Sequence, residues 1–371
     1  MTEKRSRGRL YFVDVVRLIA SFQMINGHTL DLLMVDSVRQ GVIYDRYMWM
    51  RGLVSVAFLS VAGIAFHLAT LARFEAHKRA PTEVKRRFRR ALILIALGYL
   101  LRFPGAAFGD DPVAAAAAWD SFFQVGVLQA IGVALFALEL AVVLAKKPVQ
   151  VVWFAGIAAA GMLFGAPYLE DVPIDGAWQP FTAYLTHASG SLFPLFPWSG
   201  FMLAGAVVGW IAMPEGGSTR SRVAVPRLAA ITLGLVALYF VLDALGPFGS
   251  AHAHLATPPA FSVERLAAVL GIVTVLGVVC APIERFPRLL SIISAETLFV
   301  YVFHLWVLYA GVLGIEARFS HSVSLPISFL ASAVMMVITI SATVAWHHRD
   351  RWTDAARTWI KENWPLPSRA R

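Results

Sequence analysis

Apolar residues run through the chain in blocks of about twenty, separated by short polar connections that alternate between basic and acidic. Hydrocarbon about 30 Å thick is crossed by roughly 20 residues at about 1.5 Å of rise each. About ten blocks meet that length, at residues 10–34, 47–71, 91–108, 122–145, 151–165, 192–213, 228–245, 266–283, 289–312 and 323–345. The pattern predicts an all-α, polytopic integral membrane protein of about ten transmembrane helices. Lys and Arg are expected on the cytoplasmic side of such a protein. The start of the chain carries Lys4, Arg5, Arg7 and Arg9, the second connection reads RFEAHKRAPTEVKRRFRR, the fourth holds Lys146 and Lys147, and the sixth holds Arg220, Arg222 and Arg227. Alternate connections hold Asp110, Asp111 and Asp120, then Glu170, Asp171 and Asp175, with Asp243 near the end of the seventh block. Both termini are therefore predicted cytoplasmic, with a single transmembrane domain over residues 1–345 and a basic, aromatic tail over 346–371 lying along the inner membrane surface.

Composition sharpens this. Hydrophobic residues make up 58% of the 371 and charged ones 15%, well below the roughly one quarter charged that soluble domains carry. The net charge of +9 sits in short runs between apolar blocks rather than along one polar face, so it reads as topology and no nucleic-acid partner is expected. Cys280 is the one cysteine, which excludes an intrachain disulfide and a cysteine-based zinc cluster. The first block has the basic flank of a signal peptide, but Asp14 and Arg17 inside it and the lack of a small-x-small cleavage site predict a retained span. No fixed-period repeat and no linker between soluble domains is visible. The default location is a bacterial inner membrane, as a multi-pass protein.

Polar residues inside the blocks carry the candidate chemistry. A charge at the centre of a bilayer costs about 2.5–3.5 kcal/mol on insertion scales, so such residues usually face a protein interior or a cavity. At about 100° per residue, Asp14, Arg17 and His28 fall within an arc of roughly 60° on one helix. One reading is an intrahelical Asp14–Arg17 ion pair with an interfacial histidine at the far end. The other is a passage with fixed charge near one surface and a proton acceptor near the other. His304 in YVFHLW lies well inside the ninth block, and Arg102 in YLLRFPG lies toward the outer end of the third. His67 reads as interfacial. In FPWSGFMLAGAVVG, the glycines Gly200, Gly205 and Gly209 predict close helix packing. His252 and His254 have an i, i+2 spacing without a nearby carboxylate and predict a loop rather than a metal site.

The order Arg9…Asp14-x-x-Arg17…Met24…His28 resembles the first-helix pattern of the acyltransferase-three family, and it is similar to that of bacterial relatives of heparan-alpha-glucosaminide N-acetyltransferase. FLSVAGIAFHLA, RRFRRALILIALGYLL, GVLQAIGVALF, FPLFPWSGFMLAGAVVGW and AETLFVYVFHLWVLY resemble that second group in the same order, over roughly residues 9–312. Asn26-Gly27-His28 departs from it, since the heparan type places its histidine in a longer stretch after an asparagine, and the acceptor-side segment looks shortened. The resemblance implies an acyl-CoA donor, acetyl-CoA first, held from the cytoplasmic side, and an amine or hydroxyl acceptor on a sugar or glycan presented from the other side, with no metal. It makes His28 either the general base or an acyl-carrying nucleophile, with Asp14 and Arg17 organising the inner half of the passage. Arg9, Asn26, Arg102, His304, Arg86 and Arg90 are the expected donor- and substrate-binding residues. Lipids are expected partners, and self-association stays open. A proton-coupled secondary transporter would draw on the same intramembrane residues. Its inverted repeats are not visible in this sequence.

Overall fold

The computed structural model describes residues 10–103, 109, 111–170, 178–213, 220–245, 258–283, 285–309 and 313–350. Each apolar block corresponds to an α-helix, except the ninth, which corresponds to two, and the described residues carry fifteen α-helices. They are α1 (Tyr11–Leu33), α2 (Val42–Ala69), α3 (Phe74–Lys78), α4 (Pro81–Leu100), α5 (Pro112–Phe123), α6 (Val127–Leu144), α7 (Pro148–Glu170) and α8 (Gln179–Leu185). After these come α9 (Leu195–Ala212), α10 (Arg220–Ala244), α11 (Pro259–Val279), α12 (Arg288–Ala295), α13 (Thr297–Tyr309), α14 (Ile315–Phe319) and α15 (Leu325–His347). Among the described residues, seven helical stretches are long and apolar enough to cross a membrane, or eight when α12 and α13, bent by 73°, count as one. The helices α1 and α4 have the length, at 23 and 20 residues. They miss that standard because α1 carries Asp14, Arg17, Gln23, Asn26, His28 and Asp31, and α4 begins inside the basic connection. Large side chains such as Leu233, Phe240, Leu330 and Val337 stay exposed on α10 and α15, as a lipid-facing surface requires.

By internal contacts the chain forms two units, residues 10–20 with 48–283, and 21–47 with 285–350. Helix α1 contributes its first half to one and its second half to the other.

In the first unit the principal helix pairs are α4 with α6, α7 with α9, and α10 with α11. Without a hydrophobic force between helices in lipid, close backbone approach at small residues supplies the packing. Helices α2 and α9 do this reciprocally. A Cβ on Gly63 would stand 2.0 Å from the Met202 carbonyl oxygen, and one on Gly205 would stand 2.1 Å from that of Ser60. Helix α6 meets α4 in the same way, since a Cβ on Gly132 would come within 2.8 Å of the Ala91 oxygen. The sequence expectation for the glycines of α9 is thus met at Gly205, and also at Gly209, whose added Cβ would lie 2.8 Å from that of His67.

In the second unit the end of α1 is tied down by main-chain and guanidinium contacts. Val35 N donates to Val323 O at 3.0 Å, Val323 N to Leu33 O at 2.9 Å and His321 N to Leu32 O at 2.9 Å. The last carbonyls of a helix have no partner inside it. Arg39 supplies one, its Nη2 reaching Asp31 O at 2.5 Å and Met34 O at 2.8 Å. The break between α12 and α13 falls at Glu296, which bonds His347 Nδ1 at 3.0 Å, while Phe299 stacks on Trp346 with centroids 4.9 Å apart. Those contacts set α13 antiparallel to α15.

Candidate functional site

Asp14 is buried and Arg17 half-buried in the first unit, with Arg17 Nη1 3.9 Å from Asp14 Oδ1. This is the i, i+3 pair that the sequence spacing predicts, at the outer limit of ion-pair distance. Arg9 lies outside the described residues, as do His252, His254 and the tail from 351 onward.

His28 stands in the second unit beside His304, their ring centroids 5.4 Å apart and tilted by 42°. Tyr309 closes a third side, its ring edge-on to His28 at 6.3 Å and its hydroxyl donating to the His28 carbonyl oxygen at 3.3 Å. His304 is fully buried. Its Nδ1 lies 2.6 Å from Val300 O, and a carbonyl oxygen only accepts, so Nδ1 carries the hydrogen. Its Nε2 is buried and has no hydrogen-bond partner. With Nδ1–H committed, Nε2 of the neutral ring is a fixed acceptor. Two imidazoles from sequence positions far apart thus come to one place, and the bend at Glu296 sets the direction of the helix that carries the second. Asn26 points elsewhere. Two residues from His28 on the same helix, it is roughly 200° away around the axis, and its Nδ2 donates to Ser332 Oγ of α15 at 3.0 Å.

The basic connection is helical and belongs to the first unit. Arg86 and Arg90 are exposed, and Arg86 pairs with Glu83. Arg87 is half-buried, and that burial, reinforced by Arg90, holds its guanidinium below the usual arginine value against the opposing pull of Glu139. Lys78, Pro81, Val84, Lys85, Phe88 and Val143 line a groove of about 380 Å³ here. The same unit holds a pair that the sequence spacing did not suggest: His77 Nε2 lies 2.6 Å from Glu139 Oε1, both side chains buried. A lone carboxylate in the apolar run VALFALELAVVL was the signal, because a buried acid needs a partner. Removing one member strands the other, so Glu139→Ala is expected to cost about 3–5 kcal/mol, whereas the apolar pair His77→Leu with Glu139→Met recovers most of it. Thermal unfolding in detergent reads both.

Arg102 sits at the end of α4, where Nη1 donates to Gln124 Oε1 at 2.6 Å and to Ser121 O at 3.4 Å. It thereby holds the C-terminal end of α5. Nearby chemistry is polar and aromatic, with the hydroxyls of Tyr99 and Tyr184 3.0 Å apart and Trp198 Nε1 donating to His187 Nε2 at 3.1 Å. Burial, and then the bond to Tyr99, push the Tyr184 hydroxyl well above the usual tyrosine value. His67 is buried against the end of α9, its Nε2 3.1 Å from Met213 O.

The comparison with known families decides the class. Residues 9–240 match the catalytic-region model of heparan-alpha-glucosaminide N-acetyltransferase. The chain belongs to that family. It is a multi-pass membrane member of an acetyltransferase family, as the apolar helices and the match together require. The matched residues include Asp14, Arg17, Asn26, His28, Arg86, Arg90 and Arg102, while His304 lies beyond them. Among curated proteins, none matches the chain.

Proposed function

We propose that this family member moves an acyl group, acetyl first, from acyl-CoA on the cytoplasmic side to an amine or hydroxyl of a sugar or glycan on the other side of a cell inner membrane. In this reading residues 1–345 act as one membrane domain, both termini are cytoplasmic, and α1 and α4 cross with the other eight spans. The observation that carries it is the meeting of His28 on α1 with His304 on α13, in a chain of an acetyltransferase family. The kinship with the acyltransferase-three family belongs to the same proposal.

A thioester already has a good leaving group, so the protein's tasks are to deprotonate the acceptor, orient it and stabilise the oxyanion. In direct transfer, His28 takes the acceptor proton as nitrogen or oxygen attacks the thioester carbonyl carbon. The tetrahedral adduct then collapses with loss of the CoA thiolate, which takes up that proton. In the two-step variant a ring nitrogen of His28 attacks the thioester carbonyl carbon and expels the CoA thiolate, which takes up a proton; the acceptor then displaces the imidazole from the acyl carbon and gives its proton to the released ring nitrogen. His304, whose Nε2 can only accept, serves either route as the second base facing the imidazolium or the departing proton. Arg17, a planar guanidinium on the first helix, suits a phosphate of the donor. Arg86 and Arg90, exposed at the basic connection, suit its nucleotide phosphates, and Asn26 and Arg102 act through helix placement.

The test is release of free thiol by purified protein from acetyl-CoA with a panel of amino and hydroxyl sugars. Acceptor-dependent release supports the proposal, and absence of donor binding would overturn it in favour of transport. His304→Phe is expected to lower kcat at least tenfold with little change in donor KM, measured in the same assay.

A further inference from the structure

Arg265 lies in α11, seven residues into a helix apolar enough to span. It sits against the start of α2, the end opposite the basic connection. An excess of Arg on the cytoplasmic side accounts for that connection, and it does not account for a guanidinium at the other end. Charge in such a place is costly and marks a partner or a ligand.

The seat is built for the guanidinium. Phe261 lies under it, with the guanidinium carbon 4.2 Å from the ring centroid, and Nη1 donates to Trp49 O at 3.3 Å. Gly52 makes the room, since a Cβ there would stand 1.9 Å from Nη1 and 2.7 Å from Cζ. The neighbouring Glu264 attracts it electrostatically without gripping it: its carboxylate accepts from Trp49 Nε1 at 3.0 Å, and among the described residues Arg265 forms no ion pair within 4.0 Å. Nε is buried and has no hydrogen-bond partner. Nη1 is thus occupied while the Nε/Nη2 edge, the one that grips two oxygens side by side, has no protein acceptor. Arg51, next to Gly52, adds positive charge to the same end of α2.

We propose that Arg265, seated on Phe261 against Gly52, is an oxyanion-binding site that takes a carboxylate, sulfate or phosphate group through its Nε/Nη2 edge. Arg265 lies beyond the residues the family model matches. A phospholipid headgroup and a soluble acid present the same chemistry, so the experiment separates them.

Full-length protein in a neutral detergent is unfolded thermally against rising inorganic phosphate, glucuronate or dihexanoyl-phosphatidylglycerol, with glucose as the uncharged control. The wild type is expected to gain stability saturably with at least one oxyanion and not with glucose. Response to phosphatidylglycerol alone assigns the site to a lipid headgroup, and response to glucuronate or phosphate assigns it to a soluble group. Arg265→Gln and Gly52→Ala should each weaken the apparent affinity at least tenfold. Arg265→Lys should not restore it, because a point charge lacks the fork. The alanine at 52 meets only the flexible end of Arg265, so that variant folds and carries the test if the glutamine variant does not. Absence of any oxyanion response in the wild type overturns the proposal, as does a wild-type response in Gly52→Ala.

Discussion

His28→Ala is expected to abolish acyl transfer, by at least ~10²-fold on the usual scale for a lost general base, while leaving the protein folded. The structure separates the two effects. Tyr309 bonds the carbonyl oxygen of His28, and Asn26 ties the same stretch of α1 to Ser332 of α15. Both contacts survive removal of the imidazole. The ring itself is half-buried and faces His304 and Tyr309, so its loss opens a polar gap rather than a hole in the apolar core. Turnover by thiol release and the unfolding temperature in detergent, measured on the same preparation, give the two readouts. Lost activity with an unchanged unfolding temperature fits a catalytic histidine, and a parallel fall in both would mark a structural one.

Gly205→Val is the substitution expected to harm the fold most. The added Cβ would meet the Ser60 carbonyl oxygen at 2.1 Å and its carbon at 2.8 Å. Both are backbone atoms of α2 and cannot turn aside. Across the same contact a Cβ added to Gly63 would stand 2.0 Å from Met202 O, so the helices have no direction in which to yield. The only relief is separation of α2 from α9, which gives up the backbone approach on which packing in lipid depends. Ordinary overpacking costs about 1–3 kcal/mol, and a backbone clash with no rotamer escape should reach or exceed the upper end. Loss of monodisperse protein after solubilisation checks this. Gly234→Ala in α10 is the matched control, because nothing lies within 4 Å of its added Cβ; its yield and unfolding temperature should equal or exceed those of the wild type.

Apolar blocks located the long helices because hydropathy and length are local properties of the chain. Spacing likewise placed Asp14, Arg17 and His28 on one face of α1, since helical geometry needs nothing beyond the sequence. What stayed hidden was pairing. His77 with Glu139, and Arg265 with Gly52, join residues far apart in the chain, and only packing brings them together, whereas Phe261 lies one turn from Arg265 on α11. Glu139 and Arg265 were nonetheless readable as charges inside apolar runs, each asking for a partner.

Two local features were available and overlooked. Asp111 followed by Pro112 is a strong helix start, and the Asp111 carboxylate accepts from Val113 N at 2.9 Å and Ala114 N at 3.3 Å. The alanine run behind it forms α5 rather than a plain connection. Pro81 similarly opens α4 ten residues before the predicted block, because Lys and Arg are good helix formers. The bend at Glu296 had no such sign, as SAETLF contains neither proline nor glycine.

The central claim is that the acyl group crosses the membrane through this chain. Proteoliposomes loaded with the acceptor sugar found by thiol release, sealed, and given radiolabelled acetyl-CoA outside test it directly. The account predicts labelled sugar inside intact vesicles containing wild-type protein and none with His28→Ala. Labelled product that forms only when donor and acceptor share one compartment would contradict it.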